Sequence, residues 1–272
     1  MDSALLLAFA VTLGAGLATG IGSTIAFFAK TTNIGFFALS MGFSAGVMIY
    51  LSFVEILPKA TGYISEYFPE VQAAALAAAA LVGGLVLMAL IDAVVPSGAN
   101  PHENTQVELM NDPSAQSEAQ NKALLRMGLF VALAIAIHNF PEGLATFLLV
   151  LDDPEIGIAL AIAVAMHNIP EGIAVSVPVY YATKSKLKAF RLSFLSGLAE
   201  PAGAVIGYLI LAQFLNHLVL GVIFAMVAGV MIFLAIDTLL PTARNSARGH
   251  LTVYGVIAGM AVMAASLILL RL

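Results

Sequence analysis

Eight long apolar stretches, at roughly 4–28, 34–57, 71–95, 125–150, 156–181, 190–212, 218–240 and 251–270, fill most of the chain. Each reaches the roughly 20 residues that an α-helix needs to cross a bilayer. Of the 272 residues, 61% are hydrophobic and only 10% charged, against about 25% charged in soluble domains. A water-soluble fold of this composition would have nothing to cover its surface. Lipid is the matching solvent, and in lipid every backbone polar group must be paired within the protein, so the stretches must be helices. The expected fold class is an all-α membrane protein, with eight transmembrane helices in a single transmembrane domain spanning 1–272. The stretch from Ala4 to Phe28 is too long for a signal-peptide core and is expected to remain as the first helix. A polar segment at about 96–124, rich in Asn, Gln, Ser, Pro and acids, is expected to be a mobile loop.

Charge gives the chain an orientation. Lys30, Lys122, Arg126, Lys184, Lys186, Lys188, Arg191, Arg244 and Arg248 lie in or beside alternate loops, and only Lys59 and Arg271 lie on the other side. The positive-inside rule then puts loops 1–2, 3–4, 5–6 and 7–8 in the cytoplasm and both termini outside. The outer face carries Asp2, Glu66, Glu70, Asp152, Asp153 and Glu155, an acidic rim that would concentrate cations. There is no cysteine, which excludes disulfides and thiolate metal sites. No basic patch points to nucleic acid, and no phosphate-binding loop points to ATP hydrolysis.

The chain repeats itself. AGVMIYLSFVEILPKA at 45–60 and AGVMIFLAIDTLLPTA at 228–243 share nine of 16 positions, and GLATGIGSTIAF at 16–27 resembles GLAEPAGAVIGY at 197–208. The offsets are 183 and 181 residues. Five helices separate the copies, so the second enters the membrane from the opposite side. An inverted repeat of helices 1–3 and 6–8 around a central pair, helices 4 and 5, is therefore expected. Such repeats, with a site near mid-membrane, are characteristic of secondary transporters.

The central pair carries the chemistry. Helix 4 holds His138, Asn139, Pro141, Glu142 and Gly143; helix 5 holds His167, Asn168, Pro170, Glu171 and Gly172. Each motif begins about a dozen residues into its span, near mid-bilayer at about 1.5 Å per residue. His and Glu at i and i+4 share one helix face, so each motif offers imidazole, carboxylate and amide oxygen together. That donor set suits zinc and other borderline divalent ions. Pro141 and Pro170 would free the carbonyls of Ile137 and Met166 and kink or partly unwind the helices there. Glu200, at the centre of helix 6 and followed by Pro201, adds a third carboxylate; its repeat partner is Thr19. A charge at mid-bilayer costs at least about 2.5–3.5 kcal/mol, which a bound divalent cation, or protons in its place, would offset. One buried His or Glu can be an ordinary interhelical hydrogen bond. Two identical motifs at equal depth on adjacent helices are poorly explained that way.

Other residues carry less. Met48, whose repeat partner is Met231, could be a thioether ligand or plain core. Glu55, read as lying near the outer end of helix 2, and Asp237, near the inner end of helix 7, could guide ions or be hydrated helix-end groups. Asp92 reads as a helix-end residue and His102 as a solvated loop residue; His217 and His250, in or beside short loops, receive no role.

With these motifs in place, the sequence resembles the ZIP family of metal transporters over essentially its whole length, in the form found in bacteria. The resemblance implies import of zinc, and often iron, manganese, cobalt or cadmium, across the bacterial inner (plasma) membrane, with no cofactor required. It implies metal ligands at His138, Asn139, Glu142, His167, Asn168, Glu171 and Glu200, with Met48 a further candidate. It also implies two adjacent ions bridged by Glu171, and seven polar ligands are indeed too many for one four-coordinate zinc. The partners are then divalent ions and lipid; a homodimer is compatible with the sequence. Many members carry a His-rich loop 3–4, whereas this chain has only His102 there, which speaks against metal buffering by that loop. A metal-selective channel and an intramembrane zinc hydrolase are the alternatives; the second lacks HExxH and an evident spare general base.

Overall fold

A computed structural model describes residues 3–28, 34–94, 118–246 and 249–269. Among the described residues, eight helices are long and apolar enough to cross a membrane: Ser3–Thr24 (α1), Gly35–Ser65 (α2), Glu70–Ala93 (α3), Leu124–Asp152 (α4), Pro154–Thr183 (α5), Lys186–Phe214 (α6), His217–Arg244 (α7) and Leu251–Leu269 (α8). No strand occurs among the described residues. The protein is thus an integral, all-helical membrane protein with eight spans.

Local chemistry sets the turns. A single residue, Asp153, separates α4 from α5: its side chain caps α5 by accepting from the Ile156 N–H at 3.3 Å, and Pro154 follows at the first helical position, where its missing N–H costs nothing. Lys184, left-handed at φ 53°, ends α5. Ser185 then accepts from the Lys188 N–H at 3.3 Å and Asn216 from the Val219 N–H at 3.0 Å, starting α6 and α7. The segment expected to be loop up to 124 turns helical at Glu118, because 118–124 is rich in good helix formers and Glu118 pairs with Lys122 one turn on at 3.2 Å. Residues 95–117, with the rest of the expected loop and His102, lie outside the described residues.

Packing reproduces the repeat. α2 packs on α8 as α3 packs on α7; α1 packs on α5 as α6 packs on α4; α4 and α5 pack on each other. Exchanging helices 1–3 with 6–8 and 4 with 5 maps this pattern onto itself, which is the expected inverted repeat. Gly16 and Gly197 meet where α1 crosses α6: a Cβ on either would lie 2.6 or 2.4 Å from the other's carbonyl oxygen.

The unwinding expected at the motif prolines does not occur. Pro141 and Pro170 lie inside uninterrupted helices. Three other places are irregular. α6 breaks into Lys186–Gly197 and Ala199–Leu211, three residues before Pro201. Residues Ser52–Ile56 of α2 and Ala235–Leu239 of α7 form wide π turns, closed by Leu57 N–H to Ser52 O and Leu240 N–H to Ala235 O. Each is followed by a proline, Pro58 or Pro241, which removes a donor and crowds the carbonyl four residues back; the preceding turn absorbs this by widening. Because the helix resumes after the π turn, α2 runs to Ser65, past the expected end near 57. Glu55 is therefore not at a helix end but buried inside the π turn.

Candidate metal centre

His138 is the fifteenth of 29 residues in α4, His167 the fourteenth of 30 in α5 and Glu200 the fifteenth of 29 in α6. All three thus sit midway along their spans. His138, Asn139, Glu142, His167, Asn168, Glu171 and Glu200 are all buried, the most open being His138 at 4%. Close approach brings them together. A Cβ on Gly143 would stand 2.1 Å from the Glu200 carbonyl oxygen, and one on Gly172 would stand 1.9 Å from that of Thr19. Glycine is the residue that lets α4 touch α6 and α5 touch α1 at the level of the motifs. Gly172→Ala is expected to destabilise the protein by about 1–3 kcal/mol through overpacking. Its thermal midpoint in detergent should fall by several degrees, and an unchanged midpoint would show that the contact yields freely.

The histidines are held alike. His138 Nδ1 donates to the Ala134 carbonyl at 3.1 Å, and His167 Nδ1 donates to the Ala163 carbonyl at 3.1 Å. Each ring is thereby fixed with Nε2 pointing away from its own helix. The sequence places His and Glu of one motif on one face, but the structure pairs them across the helices. His138 Nε2 lies 3.2 Å from Glu171 Oε1, and His167 Nε2 lies 3.1 Å from Glu142 Oε1. With Nδ1 already donating, Nε2 is the position at which a neutral imidazole holds its lone pair. This is how metal-binding histidines are usually prepared: one nitrogen anchored by backbone, the other free to ligate.

The asparagines are anchored symmetrically too. Asn139 Nδ2 donates to the Ser196 carbonyl at 3.2 Å and Asn168 Nδ2 to the Ala15 carbonyl at 2.9 Å, and Ala15 and Ser196 are 181 residues apart, the repeat offset. Asn168 also donates to Glu200. The amides are thus tethered by nitrogen, and their oxygens are left over. Asn139 Oδ1, Asn168 Oδ1, Glu171 Oε2 and Glu200 Oε2 are buried with no hydrogen-bond partner. Orphaned acceptors of this kind are costly in a low-dielectric interior, and a cation among them would satisfy them. The side chains stand as cross-helix pairs rather than as a closed cage: among the described residues, no three His, Asp or Glu side chains converge as the ligands of a bound ion do.

Met48 and its repeat partner Met231 are both buried in the main apolar core, and no hydrogen bond or ion pair ties Met48 to the motif residues. Sequence reasoning passed over the hydroxyls. Thr19 and Ser23 on α1, and Ser44 and Ser52 on α2, are fully buried with unpartnered Oγ atoms. The signal was present for the α2 pair: Ser44, Met48 and Ser52 recur at four-residue spacing and share one helix face.

An inverted repeat of membrane-spanning helices, closed around a mid-membrane set of imidazoles, carboxylates and amides, defines the class: a polytopic transporter for small cations. The family model for ZIP zinc transporters matches residues 96–267. Relatives share most of the sequence from end to end. A zinc transporter ZupT of Oceanobacillus iheyensis is 57% identical over 99% of this chain and 100% of its own length. Those of Lysinibacillus sphaericus and Streptococcus mutans are 54% and 52% identical, each over 99% of this chain and 100% and 99% of their own. The chain belongs to the ZIP zinc transporter family. It is a transporter-family protein and not an enzyme, which removes the hydrolase alternative.

Proposed function

We propose that this chain is a secondary transporter that carries zinc, and other divalent transition metals such as iron, manganese, cobalt and cadmium, into the cytoplasm of a bacterium. The whole chain acts as one transmembrane domain in the inner membrane, with the start of α1 and the end of α8 outside. The observation that carries this reading is the geometry at the two histidines: both rings are anchored at Nδ1, both present Nε2 to a carboxylate of the opposite helix, and unpartnered amide and carboxylate oxygens surround them. It is supported by relatives that are named zinc transporters. His138, Asn139, Glu142, His167, Asn168, Glu171 and Glu200 are the proposed ligands. Their number exceeds the needs of one tetrahedral zinc and favours two ions side by side with Glu171 between them. Met48 is a candidate soft ligand from α2.

A narrow cleft between α3, α4 and α7, lined by Asp92, Ala134, Ile137 and Thr238 among others, supports release on the cytoplasmic side. It reaches the turn of α4 that carries His138, since Ala134 is the residue whose carbonyl holds that ring. Purified protein in proteoliposomes is expected to accumulate zinc with saturation at low ion concentration, as a carrier does; a flux that rises without saturation would point to a channel. In intact cells, cysteines replacing Ser117 and Ser185 should resist an impermeant external thiol reagent. Ready labelling of both would invert the orientation.

A further inference from the structure

Outside the metal centre, the densest polar network in the described residues lies at the α4–α5 turn. Lys59 Nζ on α2 pairs with Asp153 Oδ2 at 2.9 Å. The Tyr63 hydroxyl on α2 donates to Asp152 at the end of α4. His217, the first residue of α7, contacts Glu66 just past α2 through Nδ1 at 2.7 Å and Asp152 through Nε2 at 3.4 Å. The His217 ring stacks on Tyr63 with centroids 4.8 Å apart, and the Lys59 ammonium stands 5.5 Å from the Tyr63 ring centroid. Six side chains from α2, α7 and the turn thus tie the two site-bearing helices to helices that carry none of the paired His, Asn and Glu groups.

We infer that this network is a clasp which closes the outer side of the transport path by holding the α4–α5 turn against α2 and α7, and which must release for an ion to enter. Three observations carry it. The clasp grips the one connection that joins both HNxPEG helices, a single residue long, so movement of that turn is transmitted to His138, Glu142, His167 and Glu171 along two rigid helices. Its exposure is graded, from Lys59 at 15% and Asp152 at 22% to His217 at 42% and Glu66 at 51%, so the inner contacts are not fully screened by water while the outer ones are open to it; such graded contacts suit a device that must open and close. The repeat does not reproduce it: the partners of Lys59 and Tyr63 are Thr242 and Ser246, which offer neither the ammonium nor the phenol. The clasp belongs to one face of an otherwise symmetric bundle. Asp153 is also well suited to its part. Burial raises its pKa, but the Lys59 ammonium and the Ile156 N–H outweigh this and hold it below the usual aspartate value, so it is charged at neutral pH.

The clasp rests on the proposed orientation, and its test is read without metal, so its failure and that of zinc uptake are separate results. The chain has no native cysteine, so a single reporter is clean. Ser52 is fully buried, at the start of the π turn of α2 and seven residues before Lys59 in the chain. In a Ser52→Cys protein, an impermeant thiol reagent applied outside intact cells should label the reporter about ten times faster when Lys59→Met and Tyr63→Phe are added. Lys59→Arg, which keeps the pair with Asp153, should stay within about twofold of the parent. Labelling that is unchanged by Lys59→Met with Tyr63→Phe, or absent in both proteins, overturns the clasp. A rise seen only in inside-out vesicles overturns its assignment to the outer side.

Discussion

Glu171→Ala is expected to lower zinc uptake at least about a hundredfold while the protein still inserts and remains monodisperse in detergent. Loss of a residue that merely orients a ligand weakens metal sites by about 10–100-fold, and Glu171 is placed as more than that. One oxygen faces His138 Nε2 at 3.2 Å and the other is buried without a partner. Removing the side chain strips the centre of a carboxylate and leaves the His138 Nε2 facing nothing. Glu171→Gln keeps the volume and tests the charge: it should fold like the parent and transport as poorly as the alanine variant. Near-normal uptake by either variant would remove Glu171 from the ligand set. Loss of the monodisperse species in both would make the residue structural, because burial at 0% exposure already gives it a packing role that the glutamine preserves.

The spans and the motif depth were legible in the sequence for a single reason. A bilayer fixes helix length and forbids unpaired backbone, so eight apolar stretches leave one class of answer. The inverted repeat was legible because two segments at a nearly constant offset share residues that composition alone does not demand. What the sequence concealed depends on rotation and register between helices. The i, i+4 spacing places His138 and Glu142 on one face of α4, but whether His138 meets Glu142 or Glu171 depends on how α4 turns against α5, which periodicity within one helix does not determine. The prolines misled for a related reason. Pro141 and Pro170 sit in helices packed on several sides, and those helices run on without a break. Pro58 and Pro241 drew no attention, yet the π turns lie just before them. The clasp was hidden by distance along the chain: 94 residues separate Lys59 from Asp153 and 89 separate Tyr63 from Asp152, and His217 looked like a loop residue without a task.

The crossed pairs make a claim about protons that can be counted. In each histidine Nδ1 is already a donor to a backbone carbonyl. A hydrogen bond between Nε2 and a carboxylate oxygen therefore needs one proton more than a neutral ring beside an ionised acid possesses, whether it rides on nitrogen or on oxygen. Two such pairs hold two protons. At the proposed site a metal ion would take the lone pair of Nε2 and an ionised carboxylate, so both protons would have to leave on binding. Zinc affinity is then expected to fall about a hundredfold for each unit by which pH drops near neutrality, the slope for release of about two protons. Calorimetry of zinc binding to detergent-purified protein, in buffers of different ionisation enthalpy, measures that number directly. The observed enthalpy should vary with buffer by about two protons' worth, and His138→Ala, which dissolves one pair, should bring the slope to about one. An enthalpy independent of buffer would mean that no net proton leaves, and the Nε2 contacts would then not be the proton-sharing pairs that their geometry describes. Release alone does not fix the coupling, since displaced protons can depart to either side; a proteoliposome in which zinc entry drives a measurable proton flux outward, with the external pH held constant, would show that they depart opposite to the metal.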